Sequence, residues 1–296
     1  MIIGSVRSNA AFSSGRLDAK YHCSPGVLAK ERMLTLAAAG VKMRLLAGDG
    51  GLGRVGATSR TRRVYAAEGE ESMPYLRPYD VFDYLPQSVD QLSKRGGVAL
   101  KDLIPEVGTI LQTCSGRNLG PLVCVDEYIS QFVVSDDMLR LHISDETDRL
   151  YALTFLSTST GQALLTRNKT GNVIDHLSAD DLAATQVPFF EPNLVKNIAD
   201  EMGKAIKIRE RARLRLQQLI REFTESLPPL PSSRPRREGW TLQASSIGTR
   251  FDAAFHDPLV DQIRSNLIAL GGKRVRDVAS TSMLNRYKRY YVEAYS

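Results

Sequence analysis

The chain has 296 residues, of which 43% are hydrophobic, so it is long enough for one large domain or two ordinary ones and too apolar to be intrinsically disordered. A formal net charge of +6 favours an anionic partner. The three cysteines lack the spacing of a metal or redox motif. The sequence has no secretory signal and no apolar stretch of roughly 20 residues. We therefore expect a reduced, soluble, cytoplasmic protein.

The first part of the chain is expected to combine helices with a strand-rich centre. A helix-like apolar segment begins at Pro25 and ends at Gly40. Short β-branched and apolar runs separated by polar turns are typical of strands. A later segment has apolar residues at helical spacing, and we expect Asp148 to be its N-cap. The predicted strands are residues 108–113, 121–125, 131–134, 138–143 and 187–190, and the predicted helix is 148–160.

A long helix is predicted for residues 193–224. The segment lacks proline, good helix formers dominate it, and Pro192 precedes it. Its apolar positions are separated by alternating steps of three and four residues, which is the a/d pattern of a coiled-coil seam; the alternative is a helix that packs on its own domain. The seam positions are Val195, Ile198, Met202, Ala205, Ala212, Leu216, Leu219 and Phe223, with Arg209 at the remaining core position.

The beginning of the chain is repeated near its end. The segment Arg16-Leu-Asp18-Ala-Lys-Tyr21-His22 matches Arg250-Phe-Asp252-Ala-Ala-Phe255-His256, and the common order and spacing indicate a true repeat. A proline and a helix-like segment follow in both copies, and a glycine ends each, Gly40 in the first and Gly272 in the second. A linker rich in proline and arginine, residues 228–239, precedes the second copy.

The sequence offers little support for an enzyme. It contains no phosphate-binding glycine loop, dinucleotide fingerprint or amino-methyltransferase motif. None of its four histidines has a second histidine or a cysteine three or four residues away, so we expect no metal site. The pair Asp18 and His22 is better explained as structural than as an acid–base pair, so we expect no catalytic residue.

Three polar, basic segments are candidates for DNA contacts. A duplex is bound at its phosphates by cationic side chains and read at its base edges chiefly by arginine, lysine, asparagine and glutamine. Each segment alone could be a solvated turn, but three in one domain favour a DNA-reading surface. The candidates are Ser59, Arg60, Arg62 and Arg63 in the first segment, Ser115, Arg117 and Asn118 in the second, and Arg167, Asn168, Lys169 and Thr170 in the third.

The order of these motifs resembles the specificity subunits of type I restriction-modification systems. The Arg-x-Asp-Ala-x-aromatic-His segment is followed by Pro74-Tyr-Leu-Arg77, by Ser115-Gly-Arg-x-x-Gly120 and by Leu150-Tyr-Ala-Leu-x-Phe-Leu-Ser157, and then by the arginine-rich helix. No single motif is specific to this family, but the order of the motifs, together with the partial repeat near the end of the chain, is specific.

This resemblance implies an α+β protein: a mixed α/β target-recognition domain with a strand-rich core (residues 1–190), a coiled-coil spacer helix (191–227), the linker (228–239) and the start of a second recognition domain (240–296). It implies a non-catalytic subunit that reads one half of a bipartite double-stranded DNA site. The implied partners are methyltransferase subunits, which carry S-adenosylmethionine, and a motor-nuclease subunit. No cofactor is expected in this chain, and no membrane contact.

In one respect the sequence departs from the family pattern. The second copy has no counterpart of residues 74–223, so the chain could be a truncation, a fragment or a natural half-subunit that dimerises through residues 193–224. Two other functions are alternatives: the DNA-recognition subunit of another restriction or phage-defence methyltransferase, and a coiled-coil interaction protein that binds no DNA.

Overall fold

A computed structural model describes residues 12, 14–60, 62–67, 69–95, 100–116, 119–170, 175–227, 241–248 and 251–280. The chain divides into two compact units, one extending to Leu216 and the other beginning at Gln217. Helices and several β-sheets share the first unit, so the predicted α+β fold class is confirmed. Within the described ranges, no helix combines the length and apolar character that crossing a membrane requires.

In the described part of the first unit, the strands form three small sheets. The strands are β1 (Lys42–Leu45), β2 (Arg54–Ala57), β3 (Ser72–Leu76), β4 (Asp90–Ser93), β5 (Ile110–Thr113), β6 (Leu122–Cys124), β7 (Val133–Val134), β8 (Met138–His142) and β9 (Gln186–Phe189). A central four-stranded sheet has the order β2-β8-β5-β6, a second sheet has the order β4-β3-β7, and β1 pairs with β9. Among these strands, β3 and β7 pair in parallel and the other pairs are antiparallel.

The five predicted strands correspond to β5 to β9, and the predicted long helix is present. The helix expected from Asp148 begins earlier, because Asp145 is its N-cap: Oδ1 of Asp145 accepts the backbone N–H of Asp148 at 2.8 Å. The helices are α1 (Ala19–His22), α2 (Pro25–Ala38), α3 (Glu146–Ser157), α4 (Ser159–Arg167), α5 (Ala179–Ala183), α6 (Pro192–Ser226), α7 (Pro258–Ala269) and α8 (Val275–Val278).

The main core lies between the central sheet and the helices that follow it. Leu141 of β8, Leu156 of α3 and Val187 of β9 are fully buried there. Fully burying such a side chain contributes roughly 1.5–3 kcal/mol. Val195 and Ala199 of α6 belong to the same cluster, so the long helix contributes directly to the core of the first unit.

The structure therefore places the beginning of the predicted seam against the helix's own domain. Val195 is buried, and Ile198 and Met202 pack on the same core. The helix therefore packs on its own domain at these positions, which is the alternative that the sequence left open. Val195, Ile198 and Met202 are in contact with the core of the first unit. Along the rest of the seam, Ala205 is exposed, Arg209, Ala212 and Leu216 are partly buried, and Leu219 and Phe223 are exposed.

The two copies of the repeat have the same local geometry. The Asp18 carboxylate accepts the backbone N–H of Tyr21 at 2.9 Å, and that of Asp252 accepts the N–H of Phe255 at 2.9 Å. In each copy the aromatic ring meets the following histidine edge to face, with centroids 4.9 and 5.0 Å apart. These shared contacts support the repeat inferred from the sequence.

The glycine that ends the second helix is Gly271, not Gly272 as the sequence suggested. Gly40 (φ 88°) and Gly271 (φ 79°) both adopt the left-handed conformation that glycine tolerates best at a helix C-terminus. In each copy the N–H of the following residue, Val41 or Gly272, bonds to a carbonyl five residues back. Gly272 therefore occupies the position of Val41.

Candidate nucleic-acid interface

The first two predicted DNA-contacting segments leave the same end of the central sheet. The first follows Ala57 at the end of β2, and the second follows Thr113 at the end of β5. Both strands pair antiparallel with β8, where Ala57 lies opposite Leu139 and Thr113 opposite Met138. Because β2 and β5 run in the same direction, the segments after them emerge side by side.

Hydrogen bonds join the second segment to residues 175–177, which follow the third segment in the sequence. The backbone N–H of Gly116 donates to the carbonyl of Asp175 at 3.0 Å, and the N–H of Leu177 donates to the carbonyl of Cys114 at 2.9 Å. The hydroxyl of Ser115 lies 2.9 Å from Nδ1 of His176. Segments far apart in the sequence thus form one continuous surface.

His176 is the centre of this junction. Its backbone exchanges two hydrogen bonds with Thr170, 2.7 and 2.9 Å long, and its ring is held by Ser115 on the other segment. The residue is exposed, and within the described part of the chain its Nε2 has no hydrogen-bond partner. His176 is therefore an ordered side chain that presents a polar atom to solvent.

The first copy of the repeated motif contacts the third segment through Arg16 and Tyr21. The guanidinium of Arg16 donates to the carbonyls of Asn168 and Lys169 at 3.0 and 3.1 Å. Arg16 and Arg167 lie over the ring of Tyr21, at 4.7 and 4.4 Å from its centroid. Arg167 thus packs on an aromatic ring and supports the turn that carries Lys169.

The Asp and His of that motif take structural roles, as the sequence suggested. Asp18 bonds to Arg16 at 2.8 Å, and this hydrogen bond is the main cause that lowers the pKa of the carboxyl. Nε2 of His22 lies 2.6 Å from the carbonyl of Arg16. Both contacts hold Arg16 in place.

Arg63 anchors the first segment to the domain. Its guanidinium donates to Asp136 at 2.6 Å and to Asp137 at 3.2 Å, and lies 5.6 Å from the ring centroid of Tyr75. Burial lowers the pKa of Arg63, but the hydrogen bonds to Asp136 and Asp137 and the attraction of nearby acidic groups together outweigh burial, so the pKa lies above its ordinary value. Because its charge is matched by these carboxylates, Arg63 positions the segment.

Other cations of the surface are more available. Ser59, Arg60 and Arg62 are exposed. Burial raises the pKa of the Cys114 thiol beside the second segment, and the positive charge of Arg60 acts in the opposite sense. Lys169 forms an ion pair with Asp175 at 3.0 Å, and Thr170 is exposed. Arg117 and Asn118 lie outside the described residues.

Sequence reasoning missed two residues of this surface, His176 and Tyr79. The hydroxyl of Tyr79 lies 2.9 Å from where a Cβ on Gly116 would be, and its side chain is exposed. Gly116 has a φ of 125°, so a side chain there would be strained as well as crowded. The sequence carries no local signal for either residue, because Tyr79 lies far from Gly116 along the chain and His176 lies outside the basic segments.

Nothing in the described part of the chain suggests a metal centre, since no group of three or more histidine, cysteine, aspartate or glutamate side chains could hold an ion. Neither protein-family models nor curated proteins match the sequence.

Solved structures of type I restriction-modification proteins are similar to this chain, at low identity. A chain from a study of complex assembly and conformational transition of a type I system has 13% identity and a TM-score of 0.39, covering 68% of this chain and 50% of that one. The S subunit from M. genitalium has 17% identity and a TM-score of 0.36, covering 54% and 37%. The HsdS subunit from Thermoanaerobacter tengcongensis has 16% identity and a TM-score of 0.35, covering 64% and 46%. The alignments therefore span half or less of each of those chains.

Proposed function

We propose that this chain is a DNA-specificity subunit of a type I restriction-modification complex and reads one half of a bipartite duplex site. The observation that carries the proposal is the single surface formed at one end of the central sheet by three basic segments. The hydrogen bond between Ser115 and His176 and the shared end of the sheet at which β2 and β5 finish support it. The order of sequence motifs specifies the family.

On this surface, we assign the binding of DNA phosphates and the reading of bases to different residues. Arg60 and Arg62 bind backbone phosphates, because they are exposed cations on one segment. His176 and Thr170 contact base edges, because their positions are fixed by backbone hydrogen bonds and ordered side chains discriminate best. The sequence adds Arg117 and Asn118 as further base readers.

In this proposal, partner subunits carry out the methylation and cleavage of DNA. Methyltransferase subunits that use S-adenosylmethionine would modify the target, and a motor-nuclease subunit would cleave unmodified DNA. The chain itself contributes recognition and assembly. The exposed apolar side chains of Leu219 and Phe223, 43% and 66% exposed, support a helix–helix contact by the last turns of α6, either with a partner subunit or in a self-dimer.

Fluorescence anisotropy with duplexes of the target, identified by methylome sequencing of the host with and without the gene, tests DNA reading. We expect Arg60→Gln and Arg62→Gln each to weaken binding to all duplexes and to lower the salt dependence by about one counterion. The matched control is Arg54→Gln at the opposite end of β2, which should leave DNA binding unchanged. Equal binding by all three variants, or salt-independent binding, would contradict the proposal.

A second variant separates specificity from general affinity. We expect His176→Ala to lose about 1–3 kcal/mol of discrimination, roughly 5- to 150-fold, at one base pair while binding to unrelated duplexes changes little. A loss that is uniform over all sequences would assign His176 a structural role only.

Competing functions give different outcomes. The recognition subunit of another defence methyltransferase would bind DNA in the same way but would not assemble with type I partners. A coiled-coil interaction protein would show no sequence-selective duplex binding, and substitution of Leu219 and Phe223 by serine would abolish its only association. Hydrolysis or methyl transfer by the isolated chain would overturn the non-catalytic assignment.

A further inference from the structure

A surface cavity of about 390 Å³ lies at the other end of the central sheet. Arg54 at the start of β2, Gly108 just before β5 and His142 at the end of β8 line it. In the sheet, Arg54 lies opposite His142, whereas the DNA-reading segments follow the far ends of β2 and β5. The cavity is therefore separated from the proposed DNA surface by the length of the strands.

Two arginines, Arg54 and Arg149, line this cavity together with one carboxylate, that of Glu106. Within the described residues, neither arginine forms an ion pair. Nη1 of Arg149 donates to the carbonyl of Ile143 at 3.0 Å, which holds the side chain in place. Its Nε is buried and has no hydrogen-bond partner in the described part of the chain, although such a donor is normally satisfied.

The backbone around Arg149 is shaped to admit its guanidinium. Gly108 has a φ of 87°, and a Cβ there would lie 3.2 Å from Cζ of Arg149. Any other residue would therefore be strained and would press on the guanidinium. Glycine at this position leaves Arg149 at the wall of the cavity.

Other polar groups that line the cavity, on Thr109, His142 and Glu106, offer hydrogen bonds to a ligand and no positive charge near pH 7. Nδ1 of His142 lies 3.3 Å from the hydroxyl of Thr109. Burial, and then the neighbouring Arg54 and Arg140, lower the pKa of His142, while Glu106 acts in the opposite sense, so the imidazole is neutral near pH 7. The carboxylate of Glu106 also lines the cavity and can accept hydrogen bonds.

We propose that this cavity binds a small phosphate monoester, with the phosphate held by Arg54 and Arg149. Planar guanidinium groups match the oxygens of a phosphate, and a neutral imidazole can share in binding it. Glu106 would accept hydrogen bonds from hydroxyl or amino groups of the organic part. The volume falls within the range of small-molecule sites and exceeds what a bare phosphate needs, so the probe of choice is a nucleoside monophosphate.

NMR of the histidine side chains tests this directly. The chain has only four histidines, and His142→Gln assigns the signal of the cavity. AMP and inorganic phosphate are titrated at constant ionic strength into the full chain. We expect AMP to shift the His142 signal with saturation and a Kd below about 1 mM, and inorganic phosphate to shift it more weakly.

Two variants and one further ligand decide the outcome. Arg54→Gln, at an exposed position that should not affect folding, is expected to raise the Kd for AMP at least tenfold, whereas Arg62→Gln at the DNA surface leaves it unchanged. A linear, unsaturated shift with AMP, or equal binding by Arg54→Gln and the unaltered chain, would overturn the proposal. So would a His142 shift caused by duplex DNA and not by AMP, since the cavity would then bind a DNA phosphate.

The DNA and phosphate assays can fail separately. Arg62→Gln should weaken DNA binding and spare AMP, and Arg54→Gln should do the reverse. Loss of the DNA result therefore leaves the cavity proposal standing, and the converse also holds.

Discussion

Arg213 on α6 is 1% exposed, and it holds the long helix to the first unit. Its guanidinium donates to the carboxylate of Asp126 at 2.9 Å and to the carbonyls of Tyr84 and Asp83 at 2.7 and 3.1 Å. Asp126 is 3% exposed and also accepts the backbone N–H of Ile129 at 2.9 Å. Replacing Arg213 by methionine would leave that carboxylate buried with one hydrogen bond and two carbonyls without this donor.

We expect Arg213→Met to lower the free energy of unfolding by about 3–5 kcal/mol, the cost of breaking a buried ion pair by removing one partner. Domains of this kind are stable by about 5–15 kcal/mol, so a large part of the stability would be lost. With a urea dependence of about 2–3 kcal/mol per molar, the midpoint of unfolding followed by circular dichroism should fall by more than about 1 M.

Two further variants identify the cause. Arg211→Met changes an exposed arginine of the same helix and should alter stability by less than about 0.5 kcal/mol. Adding Asp126→Asn to Arg213→Met removes the uncompensated charge and can keep the bond to Ile129, so part of the stability should return. A loss below about 1 kcal/mol for Arg213→Met, or no recovery in the double variant, would refute the reasoning.

Three other predictions concern packing, thiol reactivity and pH. Gly53→Ala would place a Cβ against the backbone carbonyl of His142 on the adjacent strand, whereas at Gly56 the space is open. Urea unfolding should therefore show a free energy of unfolding lower by about 1–3 kcal/mol for Gly53→Ala and little changed for Gly56→Ala. In the native protein at pH 8, Ellman's reagent should modify exposed Cys23 first and leave Cys124 unreacted, because burial raises the pKa of Cys124 to about 11 and only the thiolate reacts. Asp18→Asn should lower stability at pH 7, because the hydrogen bond from Arg16 that lowers the Asp18 pKa stabilises the fold above the unfolded pKa of about 3.9. This loss should shrink as the pH falls through the lowered pKa of the folded state, where protonation removes the bond.

Each of these predictions has a clear contrary result. Equal stability of the two glycine variants would mean that β2 shifts freely to admit a Cβ. Modification of Cys124 at the rate of Cys23 would mean that the central sheet opens readily. A stability difference for Asp18→Asn that stays constant as the pH falls below about 3.9 would place its origin outside the carboxylate.

The elements with a strong local pattern were predictable from the sequence. The apolar runs of β5 to β9 and the long helix after Pro192 follow from local composition, and the repeat follows from matching residues. The first four strands were missed because few of their residues are fully buried, whereas almost every residue of β5, β6 and β7 is buried. A partly exposed strand has no continuous apolar run, so no short pattern marks it.

The candidate site was predicted in part for the same reason. Composition identified the basic segments, but it could not show that Arg63 is held by Asp136, or that His176 joins segments around Ser115 and Thr170. These contacts bridge residues that are widely separated in the sequence. Their partners become known only when the strands are in register.

What the sequence by itself determined is the set of local elements: the long helix, the central strands, the repeated motif and the basic turns. Only the tertiary structure decided which face of that helix is buried. An a/d stripe is equally compatible with a partner helix and with the helix's own domain, and Val195 and Ile198 pack on the domain. Arg213 reads as a surface cation in the sequence, and it is buried because Asp126 and two distant carbonyls surround it.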